Sequence, residues 1–204
     1  MMKHVIIDYG LGNLRSIEKA LQYVGAEVEI SKDAHVIDKA DALVLPGVGA
    51  FRDAMMHFST LERVVKDAVD EGKPLLGICL GMQMLASESE EGGIHQGIDI
   101  IPARVTRFPA SELKVPHMGW NSLMIKKDIP LLKGIDNGSF VYFVHSFHVS
   151  TDEKYEVAMC DYGLSFPAII ANEAGNVIGT QFHPEKSGVT GLRMLRNFVE
   201  NYGH

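Results

Sequence analysis

The sequence predicts an α/β protein: a single domain over residues 1–204, with a mixed, mainly parallel central sheet flanked by helices and an antiparallel extension. Three observations carry that expectation. The first half alternates short apolar runs with segments whose apolar residues recur at helical spacing, as βα units of a parallel sheet do. From Ile98 onward the runs are mainly strand-like, with proline and glycine near their ends. A chain of 204 residues with 46% apolar and 22% charged side chains can bury one core and is short for two domains.

Taken in order, His4-Val5-Ile6-Ile7-Asp8 reads as a strand, broken by Gly10-Leu11-Gly12-Asn13 before a helical pattern through Ile17, Ala20, Leu21 and Val24. Gly25 ends that helix and Glu27-Val28-Glu29-Ile30 alternates as a strand, so the chain opens with a βαβ unit. The glycine loop resembles a dinucleotide fingerprint, but Arg15 stands where the third glycine belongs, which argues against a nucleotide there. Ala42-Leu43-Val44-Leu45 is a third strand. It runs into Pro46-Gly47-Val48-Gly49-Ala50, where two glycines let backbone N–H groups face a ligand closely, or simply form a turn. Helical segments at about Phe51 to Phe58 and Leu61 to Glu71 lead to the run Pro74-Leu75-Leu76.

Past the middle of the chain, Glu88-Ser89-Glu90-Glu91-Gly92-Gly93 reads as a solvated connection. Strands are expected over Ala103 to Phe108, Lys114 to Ile125, Ser139 to Val149, Tyr155 to Asp161, Ala168 to Ala171 and Val177 to Gln181. Asn137-Gly138 and Ala174-Gly175-Asn176 are turns, the second closing a hairpin. An amphipathic helix from about Thr190 to Tyr202 ends the chain.

Charge and cysteine content exclude several classes. A formal charge of −7 with no basic run argues against a nucleic-acid partner. The apolar stretch between Met1 and Asp8 is too short for a signal peptide, and no later run approaches membrane-spanning length. Cys79 and Cys160 are far apart, so neither a disulfide framework nor a zinc spacing is present, and no metal or cofactor is called for. The cytoplasm is the expected compartment.

Two stretches carry chemistry. Pro74-Leu75-Leu76-Gly77-Ile78-Cys79-Leu80-Gly81-Met82-Gln83-Met84-Leu85 reads as strand, sharp turn, helix. A lone cysteine in an apolar run is ordinarily a small core residue. Here glycines flank it two positions away on each side, as in a nucleophile elbow, where the strained central residue needs near-absent neighbours. The helix start that follows favours a thiolate and a developing oxyanion. The second stretch is Thr180-Gln181-Phe182-His183-Pro184-Glu185-Lys186. In extended chain, residues two apart point the same way, so Glu185 can hold one nitrogen of His183 while the other faces a third group. An ordinary pairing of Glu185 with Lys186 is the alternative.

Together, Gly77-Ile78-Cys79-Leu80-Gly81-Met82-Gln83 and His183-Pro184-Glu185 resemble the class I glutamine amidotransferases, whose triad is Cys, His and Glu in that chain order. Within that family, five segments resemble the glutaminase subunits of imidazole glycerol phosphate synthases. They are 8–16, 46–49, 117–121, 142–147 and 183–187, so the match runs nearly end to end. Asp99 and Ala103, where glycines are usual, are small departures.

The resemblance implies glutamine hydrolysis through a thioester, with Cys79 as nucleophile, His183 as base and Glu185 orienting it. Backbone N–H groups of Leu80 and of the Val48-Gly49 region would meet the oxyanion, and Gly49, Gln83, Ser146 and Phe147 would hold the substrate. It implies a partner, a (β/α)8-barrel cyclase subunit that takes the ammonia for histidine biosynthesis, with Asn13, Trp120, Tyr142 and Lys186 at the interface. Two other readings stand beside it. One is the glutaminase of a different synthase, such as that for anthranilate or pyridoxal phosphate, against which segments 117–121 and 142–147 speak. The other is a non-catalytic relative, which would be expected to lack Cys79.

Overall fold

Leucine and β-branched runs bounded by glycine, proline or asparagine set the strand positions, and the computed structural model, which describes residues 2–109 and 113–202, joins eight of them in one sheet. Met1 and the last two positions of the expected domain lie outside the described residues. β1 (Lys3–Ile7), α1 (Leu14–Tyr23) and β2 (Glu27–Ser31) form the expected βαβ opening, with β1 and β2 parallel. α2 (Ala34–Asp38), capped by Asp33 onto the N–H of His35, was not foreseen; five residues are too few for periodicity to register. β3 (Ala42–Gly47), α3 (Phe51–Phe58), α4 (Glu62–Asp70), β4 (Leu75–Cys79) and the short α5 (Leu80–Met84) follow as read.

The later elements are β5 (Glu88–Ser89), β6 (His95–Gln96), β7 (Ala103–Arg107), β8 (His117–Ser122), β9 (Met124–Ile125), β10 (Phe140–His145), β11 (Phe147–Thr151), β12 (Glu156–Asp161), β13 (Ser165–Ala171), β14 (Val177–Thr180) and α6 (Gly188–Asn201). In the main sheet the order is β2-β1-β3-β4-β14-β13-β12-β9. Strands β2 through β14 in that order pair in parallel, while β13, β12 and β9 continue antiparallel. The predicted hairpin is the antiparallel β13/β14 pair.

The antiparallel part departs from the sequence reading. Two further sheets stand apart from the main one, a pair β10-β8 and a four-stranded set β11-β7-β5-β6. The run Ser139 to Val149, expected as one strand, breaks at Ser146 and sends β10 and β11 into different sheets. Its burial shows the reason: Val141, Phe143 and His145 are buried, then the parity shifts and His148 and Val149 are buried instead. Lys114 to Ile125 likewise divides, β8 pairing with β10 and β9 with β12. Alternation shows that a residue faces inward; it does not name the strand beside it.

Two apolar layers cover the main sheet. On one face Ile6, Val44, Leu76 and Ile78 pack with α1 and α6 residues such as Ile17, Leu21, Leu195 and Phe198. On the other Val5, Ile7, Leu43, Leu45 and Leu75 meet Phe51, Phe58, Val65 and Ala68 of α3 and α4. Since β3, β4 and β14 are neighbours, with Gly47 opposite Cys79 and Thr180 opposite Ile78, the segments leaving their carboxyl ends meet at one edge of the sheet.

Candidate active site

Cys79 lies at that edge with φ 55° and ψ −109°, a left-handed conformation that a residue with a side chain adopts only under strain. The flanking glycines are required by contact. A Cβ on Gly81 would stand 1.8 Å from the carbonyl oxygen of Leu45 in β3, and one on Gly77 would stand 2.9 Å from the carbonyl oxygen of Gly81. The elbow is therefore pressed against its neighbouring strand. Gly47 is equally confined, its missing Cβ falling 2.6 Å from the Tyr9 hydroxyl, which donates to the Pro46 carbonyl at 2.9 Å.

Cys79 and His183 share the wall of a cavity of about 360 Å³ with Val48, Gly49, Leu80, Gln83, Ser146 and Phe147. Glu185 lies behind His183, its Oε1 2.9 Å from Nδ1, and both side chains are only 4% exposed. The other imidazole nitrogen, Nε2, is buried and has no hydrogen-bond partner among the described residues, and Cys79 lines the same cavity. Burial opposes a charge on this ring, but Cys79 and Glu185 outweigh it and raise His183 to about 9. The three groups drawn from two distant stretches are thus together, His183 paired with Glu185 and lining one cavity with Cys79.

The remaining residues named from the sequence fall in two places. Gly49, with φ 102°, and Val48 occupy the loop between β3 and α3. Gln83 is buried and both of its amide hydrogens are engaged, on the Phe147 carbonyl at 3.0 Å and on Gln181 Oε1 at 3.2 Å, so its own carbonyl oxygen is what remains for the cavity. Trp120 and Tyr142 stand opposite each other in the β8/β10 pair with their rings 6.0 Å apart, and Trp120 is 56% exposed. Lys186 is exposed at the end of the Pro184–Lys186 turn, and Asn13 is exposed at the head of α1, which packs on that turn.

Sequence reasoning passed over Glu91 and Gln181. Glu91, read as part of an exposed charge run, lines the cavity, and its Oε2 accepts from the Phe51 N–H at the start of α3 at 2.9 Å. Ser89 beside it is fully buried. Gln181, fully buried, holds its Nε2 3.8 Å from the Cys79 sulfur. The one sequence signal was a polar amide inside an apolar strand end. Among the described residues, no group of three or more His, Cys, Asp or Glu side chains is arranged to hold a metal ion, and no helix is long and apolar enough to cross a membrane.

A family model described as glutamine amidotransferase class-I matches residues 5–202. The chain belongs to that family. This amidotransferase is 59% identical over 200 residues to the imidazole glycerol phosphate synthase subunit HisH of Methanosarcina acetivorans, covering 98% of this chain and 99% of that one. It is 54% identical to the subunit of the same name from Halobacterium salinarum, covering 96% and 92% of the two chains. Among solved structures, a PurLQS structure from Thermotoga maritima matches the amidotransferase with a TM-score of 0.73 at 19% identity, covering 98% of this chain and 99% of that one. A crystal structure of a glutamine amidotransferase matches with a TM-score of 0.74 at 22% identity, covering 96% and 97%. At those identities the likeness shows the fold alone.

Proposed function

We propose that this amidotransferase is the glutaminase subunit of an imidazole glycerol phosphate synthase, hydrolysing glutamine to glutamate and passing the ammonia to a (β/α)8-barrel cyclase subunit. The observation that carries the reading is that His183, its Nδ1 held by the Glu185 carboxylate, lines one cavity with Cys79. The names of the relatives, which are subunits of that synthase, support the choice of pathway.

In the proposed reaction the sulfur of Cys79 attacks the side-chain amide carbon of glutamine, and the carbonyl becomes an oxyanion met by the N–H of Leu80 and by one from the Val48-Gly49 region. His183, raised to about 9, holds a proton at neutral pH and gives it to the departing nitrogen as the C–N bond breaks. Water then attacks the thioester, losing its proton to the imidazole, and the C–S bond breaks to release glutamate. Glu185 keeps Nδ1 protonated and the ring in place. Glu91 supplies a carboxylate in the cavity lining for the substrate's ammonium group, while Gly49, Gln83, Ser146 and Phe147 shape the rest.

The partner would dock on the outer face of β8 and β10, beside the mouth of the site, through Asn13, Trp120, Tyr142 and Lys186. Met118, Trp120 and Phe140 on that face are 61%, 56% and 58% exposed, an apolar stripe that a subunit contact would cover. The complex would be a heterodimer working in the cytoplasm, without cofactor on this subunit. Cys79→Ala tests the function in the complex with the cyclase. Glutamine-driven synthesis falls to background while synthesis driven by added ammonia is unchanged; glutamine-driven synthesis that persisted would refute the assignment.

A further inference from the structure

A buried run of imidazoles and amides lies behind the cavity wall, and its polarity is fixed from one carbonyl. The oxygen of Phe147 can only accept. His145 Nδ1 approaches it at 2.7 Å, so that nitrogen carries the hydrogen and Nε2 keeps its lone pair. His117 Nδ1, at 2.9 Å, therefore donates to His145 Nε2, and His117 Nε2 accepts from Asn121 Nδ2 at 3.3 Å. Asn121 cannot turn over, because Nδ2 also donates to the Asp161 carbonyl and Oδ1 accepts from the Ser122 N–H. Burial keeps both rings neutral, lowering His117 to about 4 and His145 to about 3.

The same carbonyl orients the other arm. Gln83 donates to it at 3.0 Å, and the second hydrogen of that amide goes to Gln181 Oε1 at 3.2 Å. With its oxygen committed to Gln83, Gln181 has only its nitrogen to present to the next group, and that group is Cys79 Sγ at 3.8 Å. A buried amide reversed at this point would set two NH₂ groups against each other, at the cost of unsatisfied donors.

We propose that Gln181 is a catalytic residue whose Nε2–H donates to the Cys79 sulfur and stabilises it as a thiolate, with Gln83 and the Phe147 carbonyl fixing the direction of that N–H. The proposal rests on the reading of Cys79 as a glutaminase nucleophile. A donor bonds a charged acceptor more strongly than a neutral one, so it favours the thiolate that attacks the amide and again the thiolate that leaves the thioester. The sulfur of the intervening thioester carries no charge, so the donor raises the share of thiolate ready to attack and stabilises the charge that develops on sulfur as the C–S bond breaks.

Two variants separate this role from scaffolding. Gln181→Glu keeps an oxygen for Gln83 and loses the N–H, while Gln181→Met loses both at similar volume. In each, the pH profile of Cys79 alkylation by iodoacetamide moves alkaline by about one unit, a tenfold bias toward thiol. Glutamine kcat in the cyclase complex falls by about 10- to 100-fold with KM little changed. An alkylation profile that coincides with that of the unaltered chain overturns the proposal.

Should either variant fail to fold, the unaltered chain still answers through the ¹⁵N side-chain signal of Gln181. That signal shifts with pH in step with Cys79 alkylation; a signal that stays fixed through that range overturns the proposal. Alkylation reads the sulfur without glutamine, whereas the Cys79→Ala assay reads glutamine use, so a failed glutaminase reading and a failed role for Gln181 give different results.

Discussion

Glu185 reaches His183 Nδ1 at 2.9 Å with both side chains nearly sealed from water, and together with the Cys79 sulfur the carboxylate offsets what it costs to bury a charged imidazole. Glu185→Gln would keep an acceptor in place and remove the charge. The His183 midpoint read by NMR titration then drops below about 9, and kcat for glutamine falls by roughly 100-fold or more, as when the carboxylate of a triad is neutralised. Ammonia-driven synthesis in the proposed complex with a cyclase is the control and stays level. The pair was legible because it is local, two residues apart in extended chain. Glu91 and Gln181 were not, since what distinguishes them is Phe51 and Cys79, 40 and 102 positions away.

At the scale of elements, the elbow is held by the spacing between β3 and β4 rather than by its own turn. Gly81→Ala would drive a methyl group into the Leu45 carbonyl of a central strand, where only backbone movement can relieve the overlap. The expected loss is about 3 kcal/mol or more, at the top of the usual range for overpacking, and urea unfolding measures it. A midpoint equal to that of the parent chain would show that β3 yields without cost.

The same two strands were among the clearest in the sequence, as fully buried parallel strands read as continuous apolar runs. The break at Ser146 was harder to see, yet its trace is present: inward side chains fall on odd positions up to His145 and on His148 beyond it. That change of parity places a pocket-lining residue at the seam between two sheets, where the backbone is free of a regular ladder.

For the molecule as a whole, the buried histidines shape the response to acid. His4, His117, His145 and His148 are all lowered by burial, so between their folded values and 6.5 the unfolded chain binds more protons than the folded one. Their contribution is intact above 6.5 and lost as pH falls. From pH 6.5 to 5, before carboxylates titrate strongly, the deeply buried His145 alone removes roughly 1 to 2 kcal/mol. His183 has the opposite sign, its share being full below 6.5 and lost as pH rises through about 9. Urea midpoints taken from pH 6.5 to 5 should fall steadily; a flat series would mean that these rings take up protons as readily in the folded chain as in the unfolded one.

Under the proposed docking of a cyclase subunit, the exposed stripe formed by Met118, Trp120 and Phe140 bears on how the two chains would be made. A polypeptide synthesised in excess of its counterpart would keep a greasy, sheet-backed surface wet, and the nearest cover for it is another copy of itself. With the proposed partner, matched output of the two chains would keep that surface occupied, and the supply of one would set a ceiling on how much of the other stays useful.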